Sequence, residues 1–543
     1  MHDGPAGRAA ADEAAAADGA ADGAADGRPW DASLPPWPSA EPEETVTAGP
    51  WRLTLREAEV ADLAHDGVVV LRAVRFVTRD HDWRTADDTV THRSTTPTAT
   101  GVRICTEVAT ALDAREVLRS TLDLVIDGDT LRVEATATTT TAFRRNRIGL
   151  VVLHPPTVAG LPVTVRHPVG PPTEQSFPTW IAPHQPATDV VGLTWWVGDH
   201  ELALDLDGAV FESEDQRNWT DASFKTYSTP LAEPFPVALP ARTRIRQALT
   251  LRVTRRPGGA PAPAADLAAL DGAAPTSART PSPTLQYTAS SAPAATRPDD
   301  ADLPAPAPVL VEPVLDQPDA RSLLALARRD ARGAPLDVRF VTDDPDALRA
   351  AIDAVLEAGP VARAGAYDPV THVTTPPLQR ALRDAARSVG GLEVVAGTRA
   401  HFTELNRAVD LHSAWDGPLS FSVTPQMHDR SRAQMTESLR MLRWVAMSAS
   451  RLAAGRPLHV GPVTLRPRFN AVATSPRPRV TDVTAAGGYG PHLVPDATDP
   501  DQHSAAARAW TAAAVRALSV PGVATVTLGE LWGPRGIVPA RTS

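Results

Sequence analysis

The feature that most constrains the fold is a change of hydrophobic period part-way along the chain. Up to about residue 256 the apolar residues recur with period two. GVVVLRAVRFVTRD, TGVRICTEVATAL and STLDLVIDGDTLRVEATATTT are examples, punctuated by turns such as Asp127-Gly128-Asp129. No segment of helical period intervenes. From about residue 336 the pattern alternates instead. LDVRFVT precedes DPDALRAAIDAVLEAG, VARAGAYD precedes PPLQRALRDAARSVG, and LSFSVTPQMHD precedes SRAQMTESLRMLRWVAMSASRLAAG. Strands separated by helices run parallel, because a crossover is needed to bring the chain back to the same end of the sheet. The expected fold is therefore multidomain α and β. An N-terminal antiparallel β-sandwich-like domain is followed by a TIM-type β/α barrel. Around 308–330 only VLVEPVL and ARSLLALARRDA could supply one more strand–helix unit, so degenerate first strands are expected.

Four segments follow. Residues 1–44 are dominated by Ala, Asp and Gly, a composition that cannot bury enough apolar surface to fold, and are expected to be a disordered tail. Residues 45–256 are the β-sandwich domain. Residues 257–306 read as a Pro/Ala-rich linker. Residues 307–543 are the barrel.

Charge and cysteine content exclude several classes. A net charge of −11 argues against a nucleic-acid or anionic-membrane partner. The single cysteine, Cys105, allows no internal disulfide and no multi-cysteine metal site. No apolar run approaches membrane-spanning length, and the N-terminus lacks the basic and apolar regions of a signal peptide. A cytoplasmic location is expected. Neither a His-x-His nor a His-Glu-x-x-His pattern occurs, so no metal is expected, and no phosphate loop or dinucleotide fingerprint points to a cofactor.

The chain has one lysine and four asparagines, and all five fall in polar motifs. Lys225 and Asn218 share FESEDQRNWTDASFKTY (211–227). Asn146 is in FRRNRIG, Asn406 in FTELNR and Asn470 in LRPRFN. In a chain that writes nearly every cation as Arg, a retained Lys marks a position where a planar fork does not replace a compact ammonium.

In a β/α barrel the active site lies at the C-terminal ends of the strands. Those ends carry Arg399, His401, Glu404, Asn406 and Arg407 after LEVVAGT. They carry Gln426, His428 and Asp429 after LSFSVTP, Arg466 and Arg468 after VGPVTL, and Glu530, Trp532 and Arg535 after VATVTL. Carboxylates, arginines, amides and a tryptophan suit a polyhydroxylated small molecule. Glu404 and Glu530 are the candidate catalytic carboxylates, with His428 as a base or oxyanion donor. Arg399, Asn406, Gln426, Arg468 and Trp532 are candidate substrate contacts. From the sandwich, Arg217, Asn218, Trp219, Asp221 and Lys225 are added, read as a solvated hairpin, as a loop lining the barrel mouth or as a structural domain–domain interface.

The motifs FRRNRIGLVVLHP, FESEDQRNWTDASFKTYSTPL, VAGTRAHFTELNR, SVTPQMHD, VTLRPRFNAVAT and GELWGPRGI, in this order, resemble the D-apionate lactonase family of bacterial apiose catabolism. The resemblance covers about residues 45–255 and 335–537. It implies an N-terminal β domain, a glycosidase-like barrel, and hydrolysis of the sugar-acid lactone D-apionolactone to D-apionate. Two alternatives stand beside it: a retaining-type glycoside hydrolase using Glu404 and Glu530, and a non-catalytic carbohydrate-binding paralogue on an eroded barrel.

Overall fold

The structure is a computed structural model and describes residues 34–256, 282–291, 295–474 and 497–541. Two compact units result. Among the described residues, one comprises 41–256 with 472–474; the other comprises 34–40, 282–291, 295–471 and 497–541. Of the expected tail, residues 1–33 lie outside the described residues, and Glu43 and Glu44 already belong to the first strand. Among the described residues no helix is long and apolar enough to cross a membrane.

The first unit is built from two antiparallel sheets. The centre of one is the pairing of Val68–Asp80 with Phe143–His154, to which Phe224–Tyr227 and then Glu212–Asp215 are added. The other sheet runs from Thr173–Ser176 at one edge to Asp87–Pro97 at the opposite edge, through nine strands. Period-two burial is clean in its middle: Thr130–Thr139 buries every second residue. The expected Asp127-Gly128-Asp129 turn is present as a two-residue hairpin loop, with Gly128 at φ 55°, a conformation that Gly adopts without steric cost. The two sheets meet through polar as well as apolar contacts: Gln247 of one accepts from the Leu150 backbone N–H of the other at 2.7 Å.

The second unit is a closed barrel of eight parallel strands. In order they are Thr284–Thr288, Val309–Val311, Leu336–Val341, Val361–Tyr367, Glu393–His401, Leu419–Val423, Leu458–Val463 and Val523–Trp532. The first pairs with the eighth and closes the ring. This corrects the sequence reading in two places. The barrel does not begin at 307, and the stretch 257–306 is not linker throughout, because Thr284–Thr288 is the first strand; 257–281 and 292–294 lie outside the described residues. The first strands are short but complete the ring. Outer helices follow the expected segments. Pro345–Glu357 starts at Asp344, whose carboxylate accepts from the Asp346 and Ala347 N–H groups, with Pro at the first helical position. Its Leu348, Ile352 and Val355 face inward.

The barrel interior is polar where an aliphatic filling is usual. Asp337 and Arg339 of the third strand are both fully buried and paired at 3.1 Å. Asp337 also takes Arg363 of the fourth strand at 2.9 Å and Gln286 of the first at 2.8 Å. Gln286 donates to Thr527 of the eighth strand at 2.7 Å. Arg363 reaches Glu393 of the fifth at 2.8 Å, and His459 of the seventh lies 3.5 Å from Glu393. Burial alone would raise the Asp337 carboxyl, but Arg339 and Arg363 hold it well below the usual carboxylate range. The network ties six strands together, and each buried charge has a counter-charge.

Asp337→Ala leaves two buried guanidiniums without their shared partner, so it is expected to cost about 3–5 kcal/mol. Asp123→Ala removes only the exposed pair with Arg103 at 2.7 Å and is expected to cost less than about 1 kcal/mol. Denaturant unfolding of the two variants side by side checks both.

Candidate active site

The barrel mouth is organised by a residue absent from the sequence-based list. Val309–Val311 is a three-residue strand of apolar side chains, and the next residue is Glu312. Its Oε2 accepts from Arg399 at 3.0 Å and from Arg468 at 2.5 Å. Arg399 belongs to the fifth strand and Arg468 follows the seventh, so this triad reaches across the ring from the second strand. Arg468 also donates to the Arg399 carbonyl at 2.7 Å. Phe469 lies beneath both guanidiniums, 4.3 Å from Arg399 and 5.3 Å from Arg468. Burial pushes the Glu312 carboxyl up, but Arg468 and Arg399 outweigh it and hold it at about 2. The triad carries one excess positive charge.

Beside it the fifth strand ends at His401 and runs into the short helix Phe402–Arg407. Glu404 sits in the first turn. The residue as a whole keeps some exposure, but its Oε2 is sealed from solvent and has no hydrogen-bond partner among the described residues. Burial raises its carboxyl to about 7, against smaller lowering effects from its own and His401 backbone N–H groups and from Arg407. His401 is pushed down to about 3 by burial and by the nearby Arg468 and His428, so its ring is neutral. Three more buried atoms here lack a protein partner: Glu312 Oε1, Arg399 Nε and His401 Nδ1. Buried polar atoms are ordinarily paired, and each unpaired one carries a penalty. A gathering of unpaired donors and acceptors, all at the C-terminal end of the barrel, is the arrangement a polar ligand would complete.

Two family profiles match the chain. The N-terminal domain of D-apionate lactonase matches residues 36–256, and the D-apionate lactonase TIM barrel domain matches residues 295–543. The chain belongs to the D-apionate lactonase family. It is 26% identical over 532 residues to a D-apionate lactonase of Brucella anthropi, covering 91% of this chain and 83% of the relative. Family membership makes it a lactone hydrolase. Among solved structures, a β-arabinopyranosidase is similar at 7% identity and TM-score 0.28, over 76% of this chain and 65% of that one. An aldose epimerase homologue from C. elegans is similar at 12% identity and TM-score 0.26, over 39% and 99%.

The barrel of this lactonase-family chain brings Arg399 and Arg468 together on Glu312, and His401 lies close enough to Arg468 and His428 to feel both. Asn406 is buried on the same short helix as Glu404. The other candidates are engaged elsewhere. Gln426 donates to the Leu465 carbonyl at 3.1 Å and to Asp499 at 2.7 Å, a carboxylate it shares with Arg432. Glu530 is ion-paired with Arg535 at 2.9 Å and accepts from Ser291 Oγ at 2.5 Å. Trp532 corrects its assignment as a sugar platform. It is 2% exposed, packed with Leu303 and Leu531, and its indole N–H donates to Asp330 of the helix Ala320–Ala331 at 3.0 Å. Such a ring stabilises the outer layer of the barrel.

The block 211–227 lies in the sandwich unit and is a hairpin, but not a solvated one. Arg217 is fully buried, paired with Asp215 at 2.6 Å, donating to the Pro178 and Thr179 carbonyls and stacked 4.3 Å from Phe224. Asn218 donates to the Ala182 carbonyl at 2.6 Å. Trp219 and Asp221 are buried with them. Lys225 is paired with Glu214 at 2.6 Å over the Tyr227 ring at 4.2 Å; burial pushes its ammonium below the ordinary value while Glu214 pulls it back up. A compact ammonium between a carboxylate and a ring face gives this lone lysine a packing reason of its own.

The raised Glu404 carboxyl has a consequence for stability. Its folded pKa lies above its unfolded one, so its contribution is greatest below the unfolded value and falls as pH rises toward about 7. Glu404→Gln removes that loss. Relative to wild type, the variant is expected to gain up to about 3 kcal/mol between pH 4 and pH 8, measured by denaturant unfolding across that range.

Proposed function

We propose that this chain hydrolyses a sugar-acid lactone at the barrel mouth, with D-apionolactone as substrate and D-apionate as product. The observation that carries the reading is Glu404: a carboxyl at about 7 with one oxygen sealed and unpartnered, on the short helix that follows the strand of Arg399, whose guanidinium shares the Glu312 carboxylate with Arg468. A base that is half ionised near neutral pH both takes and returns a proton efficiently. The named activity of the Brucella anthropi relative supports the substrate.

Ionised Glu404 takes a proton from water as its oxygen bonds to the lactone carbonyl carbon. The carbonyl electrons move to oxygen, and the resulting oxyanion is stabilised by Arg399, Arg468 or His428. The ring C–O bond then breaks, and the protonated Glu404 returns its proton to the departing alkoxide. One water is consumed, and the hydroxy acid is released, its new carboxyl group giving its proton to solvent. Asn406 and Arg399 supply hydrogen bonds to hydroxyls. Glu530, held by Arg535 and Ser291, has a positioning role at the eighth strand. The eroded-barrel premise of a non-catalytic paralogue does not hold for a ring that closes. A catabolic hydrolase of this kind acts in the cytoplasm, where we place this chain.

Acid release from D-apionolactone, counted above spontaneous hydrolysis, tests the reading. kcat/KM is expected to rise with pH and level off above about 7. Glu404→Gln is expected to lower kcat about 10²–10⁴-fold, and Glu530→Gln by less than about tenfold. No excess turnover by folded wild-type protein rejects the substrate. Phenol release from aryl glycosides, lost in both variants, moves the assignment to a retaining glycosidase.

A further inference from the structure

We infer that His65, His200 and Asp66, in the sandwich unit, form a binding site for a divalent transition-metal ion. The three residues each offer one ligand atom, and those atoms lie within 4.8 Å of one another. His65 ends the strand Glu59–His65 of one sheet, and His200 begins the strand His200–Asp207 of the other, so the site joins the two sheets at one end.

Three observations support it independently of that proximity. First, the imidazoles are 1% and 2% exposed, yet His65 Nδ1 and both ring nitrogens of His200 have no hydrogen-bond partner. Buried histidines that serve only packing normally satisfy at least one such atom, as His65 does through Nε2 and His200 does not. Second, His65 Nε2 lies 3.0 Å from Asp129 Oδ1. A carboxylate only accepts, so in the neutral ring Nε2 carries the proton and Nδ1 keeps its lone pair. A carboxylate behind the far nitrogen is how metal-bound histidines are oriented. Third, His200 Nδ1 is 2.9 Å from Asp199 Oδ1, outside hydrogen-bond geometry but close enough to favour the proton on Nδ1. That leaves Nε2 as its ligand atom.

Asp66 supplies the oxygen. It is exposed, and His65 Nδ1 lies 4.0 Å from its Oδ2. Arg255 also reaches Oδ2, at 3.2 Å, and pairs with Asp199 at 2.9 Å. Arg255 is half exposed and can swing outward when a cation takes its place. Two imidazoles and one carboxylate favour Zn²⁺ or a neighbour in the first transition row over Mg²⁺ or Ca²⁺, which take oxygen ligands.

Chelator-stripped full-length protein titrated with Zn²⁺ by calorimetry tests this. One site with Kd at or below about 10 μM is expected, and Zn²⁺ should raise the Tm by about 5 °C. Asp66→Asn, at the surface, should keep the fold and weaken binding roughly tenfold. His65→Ala and His200→Ala should each abolish it. Co²⁺ loaded in place of Zn²⁺ should show visible bands of a low-coordinate nitrogen/oxygen site. Absence of binding by wild type overturns the inference, and so does binding unchanged in Asp66→Asn and in either histidine variant. Neither outcome bears on the lactonase reading, which rests on the barrel alone.

Discussion

The ion pair of Asp337 with Arg339, fully buried inside the barrel, is the interaction on which the rest of the catalytic unit depends. It sets a column of alternating charge through the interior. Below Arg339, Asp337 gathers Arg363 and Gln286; above it, Glu312 gathers Arg399 and Arg468. Arg339 feels both Asp337 and Glu312. A buried ion is tolerable only when compensated at short range, so each layer fixes the next. The outcome at the mouth is a pair of guanidiniums locked in place by a carboxylate they share. Reorganisation is avoided when the reaction needs positive charge there.

That arrangement also explains why the two glutamates singled out from sequence differ. Glu530 is paired with Arg535 and accepts from Ser291. Glu404 has no ion pair of that kind at its sealed oxygen, and burial dominates its protonation. Two carboxylates at the same end of one barrel therefore sit in different environments.

Fold class was legible because hydrophobic period survives in a single sequence. The sandwich strands alternate and the barrel helices carry capping signals such as Asp344-Pro345. The first barrel strand was lost for a physical reason: TLQYT is five residues long and directs Gln286 into the polar interior, so its apolar signal is weak. Glu312 was missed because a three-residue strand gives no period, although a lone Glu directly after VLV is the clue that could have found it. Arg399 and Arg468 stand out in the sequence as polar residues just after apolar strands, but no spacing shows that they share Glu312. Trp532 was misread because residue type cannot tell the mouth of a barrel from its outer layer. Likewise the charges of 211–227 could not show that they pair with each other inside the sandwich. His65 and His200 are far apart in sequence, so no spacing rule links them.

The central claim is that Glu404 is a desolvated carboxyl that titrates near neutrality. Titration of ¹³C-carboxyl-labelled glutamate, with the Glu404→Gln spectrum subtracted, measures it directly. The account predicts one carboxyl resonance, missing from the variant, with a midpoint at about 7. A midpoint in the ordinary glutamate range, about 4, would contradict it.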